Sequence, residues 1–212
     1  MKKILAIIMA LALIMPSVAV AQNKTLEKAR KKEYKTKMKE FKKEGYKVFG
    51  TTRSLDVALL THYDKLNNLG ENGYEVIGIA TRCKSKNVGK QMAANNAAIT
   101  YAQNAGSTVK GRIVADMAGD GINTDAEFEH FYAAYERLVE KEIKGELQES
   151  FSVIKELGKN SGEYEIQTFY IVNEDAASKA RIRAMENAMK ESEAAQKYAE
   201  KVSDFVRKGF EQ

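Results

Sequence analysis

The chain has 212 residues, 30% of them charged and 44% hydrophobic, with one cysteine, Cys83, and one proline, Pro16. A single cysteine excludes an internal disulfide, and no Pro-rich linker or low-complexity tract divides the chain. The formal net charge of +5 is unevenly placed: Lys2 and Lys3 supply two charges, residues 23–48 carry eleven Lys/Arg against four Glu, and the remainder is net acidic at about −4. That distribution argues against a uniformly basic nucleic-acid binder.

The first residues read as a secretory signal over 1–21. Lys2 and Lys3 form the charged n-region, the run from Ile4 to Met15 forms the apolar h-region, and Ala19-Val20-Ala21 is an A-x-A cleavage site placing the cut between Ala21 and Gln22. The apolar run is shorter than the ~20 residues that a membrane-spanning helix needs. No cysteine stands at the cut to carry a lipid. The expected product is exported, without a transmembrane span after cleavage, and either periplasmic or extracellular.

Residues 22–45 are expected to form a basic N-terminal helix, with Leu26, Tyr34, Met38 and Phe41 loosely on one side among lysines. Its charge fits contact with an anionic envelope surface by residues 23–48. Residues 46–212 are then expected to form a single α+β domain. Residues 46–52 read as a short strand. Ser54 caps a helix whose Leu55, Ala58, Leu59, Tyr63 and Leu66 share a face, and Gly70 and Gly73 mark the turn after it. Residues 74–83 are rich in β-branched side chains and read as a strand with a central glycine.

An alanine-rich helix is expected from about 87 to 105, stopped by Gly106-Ser107, with alternation over 108–115 predicting a third strand. Thr124 and Glu127 make a T-x-x-E capping box ahead of a helix burying Phe128, Phe131, Tyr132, Tyr135, Leu138, Val139 and Ile143. Residues 146–157, with Leu147, Phe151 and Val153 on one face, and 163–172 read as a hairpin joined by a Gly158–Gly162 turn. The final helix is expected over 175–208, with an apolar seam that includes Ala177, Ala180, Ala184 and Ala188. The fold class is therefore α+β: a twisted, mostly antiparallel sheet, helices on one main face, and a long C-terminal helix.

Sites are sparse. Asp116, Asp120, Thr124 and Glu127 fall on positions one, five, nine and twelve of a calcium loop, but Ala118 stands where the third-position ligand belongs. His62 and His130 lie on different helices without a second ligand at metal spacing, and read as surface or boundary residues. No G-x-S-x-G, P-loop or dinucleotide fingerprint is present, so no catalytic residue and no cofactor are assigned. Asn173-Glu174-Asp175 reads as a cap on the last helix.

Three stretches share the pattern of an envelope-domain family: Val76-Ile-Gly-Ile-Ala, the helix segment Ala93-Ala-Asn-Asn-Ala-Ala-Ile-Thr-Tyr-Ala with Gly106-Ser-Thr-Val-Lys-Gly-Arg-Ile, and Gly162-Glu-Tyr-Glu-Ile-Gln-Thr-Phe-Tyr-Ile-Val before the last helix. In that order the chain resembles the LPP-type surface lipoproteins and the N-terminal domain of the flagellar assembly protein FlgT, or a separate exported family of similar pattern. The resemblance implies a non-enzymatic envelope assembly module, with partners among envelope proteins or a second copy through the long helix. The chain adds the basic arm and a strand–helix unit at 46–69. The competing expectations are a calcium- or small-ligand-binding module using the 116–127 loop, and an unrecognised hydrolase.

Overall fold

The computed structural model describes residues 24–117, 126 and 128–197. Helix α1 spans residues 24–44 and ends at Gly45, whose φ of 78° is left-handed. Strand β1 (Lys47–Phe49), helix α2 (Leu55–Leu69) and a 3₁₀ turn (Gly70–Asn72) follow. Strand β2 (Gly73–Cys83) leads into helix α3 (Lys86–Met117), then α4 (Glu129–Ile143). The hairpin of β3 (Gln148–Glu156) and β4 (Tyr164–Asn173) precedes α5 (Glu174–Lys190) and the short α6 (Glu193–Lys197).

The four strands form one sheet in the order β1-β3-β4-β2, with every neighbouring pair antiparallel. This is an α+β fold. β4 is central and apolar on both faces, as a strand covered on both sides must be. Val172 joins the larger core with α3, α4 and α5, while Phe169 and Ile171 join a second core with α1 and α2. Most of the helical mass lies on the first face. Ser152 and Thr168, directly paired across β3 and β4 and fully buried, satisfy each other through a 3.0 Å hydroxyl contact.

Several expectations need correction. Residues 108–115 are not a strand: α3 continues through them to Met117. Val109 and Ile113 are buried at a spacing of four, extending the row of Tyr101 and Ala105, so the helical period outweighs the short alternation. Gly106 lies in the interior of that helix, facing Glu136 of α4, and does not stop it. Leu147 does not share a face with Phe151 and Val153. A register shift between Glu149 and Phe151 puts Leu147 against the larger core and the other two in the second. The C-terminal helix expected over 175–208 runs as α5, is interrupted at Glu191 and Ser192, and resumes as α6, where the Ser192 hydroxyl accepts from the Ala195 N–H. The part beyond 197 lies outside the described residues.

The basic N-terminal helix is built into the body. Met38 and Phe41 are core residues, and the Phe41 ring meets Tyr46 and Phe169 edge-on. Arg30 is buried and donates to the carbonyls of Leu66, Gly70 and Gly73 and to Oδ1 of Asn67. It supplies a cation and donors where the last carbonyls of α2 have none within the helix. Most of its lysines face outward: Lys28, Lys31, Lys32, Lys35 and Lys39 are all exposed.

Candidate functional site

Among the described residues, a feature with the shape of a binding site is a cleft of about 390 Å³ between β2 and α3, closed at one end by the start of α5. That volume falls in the range of small-ligand and side-chain pockets. One wall is the stretch Tyr74–Ile77 of β2, and the other is Thr100, Asn104 and Thr108, which recur every fourth residue along α3. At the floor stand Tyr74, Tyr101, Ala105, Glu174 and Arg181.

Arg181 is the largest fully buried side chain among the described residues, 2% exposed. It lies two helical turns after Glu174 on the same face of α5, and its guanidinium donates to the Glu174 carboxylate and to the Tyr101 hydroxyl. Burial works against its charge, yet the Glu174 and Tyr101 contacts more than offset this and raise its pKa above the ordinary value. Glu174 itself sits in the first turn of α5, where the helix dipole favours a carboxylate. The Tyr74 and Tyr101 rings stack at 6.4 Å. Burial, and next Tyr101, push the Tyr74 phenol far above its usual range, so it stays neutral. The result is a floor of aromatic rings and one ion pair whose charges offset each other.

No serine, cysteine, histidine or lysine lines the cleft. Chemically it offers the Thr100 and Thr108 hydroxyls, the Asn104 amide, the Glu174 carboxylate and ring surface.

A second polar cluster lies on the opposite face of the sheet. His62 is fully buried, contrary to the surface or boundary position expected of it, and its Nε2 lies 2.7 Å from Oε2 of Glu75. Lys37 of α1 reaches the other oxygen of Glu75 at 2.7 Å and lies over the Phe169 ring. Burial alone would raise the Glu75 carboxyl, but His62 and Lys37 outweigh it and hold it below the usual carboxylate value. His62 is packed edge-on against Tyr63, Phe151 and Phe169, which makes this a structural tie between α1, α2 and β2.

The sequence-derived candidates fall elsewhere. The Asp116 backbone belongs to the last turn of α3, so a helix and not a strand leads toward the calcium-like loop. Asp120, Thr124 and Glu127, like the Ala21–Gln22 cleavage site, lie outside the described residues. Among the described residues no group of three or more His, Cys, Asp or Glu could hold a metal ion. His130 is exposed on α4. Cys83 is buried at the end of β2, its thiol 3.1 Å from the Tyr164 carbonyl. Asn173 does cap α5, accepting from the N–H groups of Asp175 and Ala176. Sequence reasoning missed the Glu174–Arg181 pair, although an acid in the first turn and an arginine seven residues on were there to be read.

No protein-family model matches the chain, and no curated protein or solved structure matches it.

Proposed function

We propose that this is an exported, non-enzymatic binding or assembly protein of the cell envelope, with the β2–α3 cleft as its recognition site. The observation that carries the reading is the cleft itself: concave, reached from solvent along α3, and floored by aromatic rings and the Arg181–Glu174 ion pair. A floor whose charges are already paired lowers the cost of ordering the site when a ligand enters. The n-, h- and A-x-A pattern of residues 1–21 supports export. Among the described residues no helix is long and apolar enough to cross a membrane, so attachment to the envelope would run through a partner or through the outward lysines of α1.

The test is a pull-down from envelope fractions with tagged mature chain, residues 22–212, washed at low and high salt. A defined partner that survives high salt supports recognition through the cleft. Retention lost at high salt would assign the association to the α1 lysines alone. The absence of any partner at either salt would refute the reading.

A further inference from the structure

We propose that the cleft takes an extended peptide segment of a partner protein, added as a fifth strand to the free edge of β2. This rests on the binding reading above and specifies its ligand class.

β2 is at the edge of the sheet, and its pairing with β4 is regular from Gly73 to Ala80. In a regular antiparallel pair, alternate residues turn both backbone groups away from the neighbouring strand. Two contacts identify which: Arg30 donates to the Gly73 carbonyl, and Asn96 Nδ2 donates to the Ile79 carbonyl at 2.7 Å. The odd-numbered residues of β2 therefore face outward. Between the two capped carbonyls stand the N–H and C=O groups of Glu75 and Ile77, in the strand segment that walls the cleft. Among the described residues no side chain bonds to them. Native edges are usually blunted along their length. Among the described residues this one is blunted at both ends and open in the middle.

Donors and acceptors repeating every second residue, about 6.7 Å apart, match one extended chain. The facing wall has nearly the same repeat, because Thr100, Asn104 and Thr108 recur every four helical residues, about 6 Å apart. A peptide strand between them meets backbone on one side and hydroxyl or amide groups on the other. Since Arg181 and Glu174 already neutralise each other, the side chain that enters over Tyr74, Tyr101 and Ala105 is uncharged and apolar. The capped ends limit pairing to two or three residues of the guest strand, the peptide-recognition mode known as strand addition.

The probe is a randomised seven-residue peptide library displayed against the mature chain, followed by the affinity of one selected peptide for wild type, Ile77→Ala and Ile77→Pro. Both substitutions remove the Ile77 side chain, but only proline removes the outward N–H, and an edge strand tolerates proline where its N–H faces away from the sheet. The alanine variant should bind within about threefold of wild type, and the proline variant at least about tenfold more weakly. In wild type, amide exchange at Glu75 and Ile77 should slow when peptide is bound. This readout stands even if the proline variant does not fold.

Equal affinities for the two variants, no slowing at those amides, or no peptide selected above background would each overturn the proposal. So would a free protein that sediments as a dimer with both amides already protected, which would give the edge to a second copy. An envelope partner still held by Ile77→Pro would overturn strand addition and leave the binding reading intact. Wild type holding no partner would remove that reading itself.

Discussion

Gly78 of β2 and Ala93 of α3 touch so closely that a Cβ on Gly78 would overlap the Ala93 carbonyl and lie 3.0 Å from the Ala97 Cβ. This is where the helix axis comes down onto the strand. The cleft opens further along, where the stacked Tyr74 and Tyr101 rings stand between the two elements. Gly78→Ala would have to push α3 off the sheet, and should cost about 3 kcal/mol or more, read as a drop in the denaturant midpoint. Because backbone and not a flexible side chain blocks the space, a neutral Gly78→Ala would contradict this packing.

Arg30 holds the end of α2 by donating to the Leu66, Gly70 and Gly73 carbonyls. Arg30→Met keeps the length and loses the charge and donors. It should destabilise the protein by about 2 kcal/mol, since hydrogen bonds to a buried charge are the stronger kind. Amide exchange should quicken first at the C-terminal turn of α2.

Stability should fall in acid through Glu75. Its carboxyl is held below the ordinary value in the folded chain, so its contribution is present above the unfolded carboxylate pKa of about 4.3 and is lost as pH falls through the lowered folded value. Glu165, held low against burial by Tyr46, Gln167 and Lys155, adds in the same direction. Glu75→Gln should lower stability at pH 7 and flatten its decline below pH 5, as urea melts across that range would show.

The outward lysines of α1 can be tested without disturbing the fold. Lys28, Lys31, Lys35 and Lys39 are exposed, and replacing all four with Gln should leave the melting temperature nearly unchanged. The same variant should bind anionic vesicles more weakly at low salt and no differently at high salt. Deleting residues 23–48 is a poorer experiment, because it also removes Met38, Phe41 and Tyr46 from the core.

Much of this fold was legible because its periodicities are long and consistent. The Ser54 cap, the buried face of α2, the aromatic face of α4 and the β3–β4 hairpin follow from spacing and turn residues alone. The error at 108–115 arose where eight residues carry both periods and a Gly-Ser pair imitates a stop. Only the contact of Val109 and Ile113 with α4 and α5 decides for helix. The cleft was not legible at all, since Tyr74, Tyr101 and Arg181 are far apart in the chain and meet only through the sheet order. Arg30 was hidden for another reason: among the eleven basic residues of 23–48, nothing local marks Arg30 as one that turns inward.

The measurement closest to the central claim is envelope-partner retention at high salt by wild type and by Asn104→Trp. Asn104 is exposed on the α3 wall of the cleft, so an indole there fills the cleft without entering the core. The account predicts a folded variant, with an unchanged circular dichroism spectrum, that loses the partner wild type retains. Equal retention by both proteins would contradict it and place recognition outside the cleft.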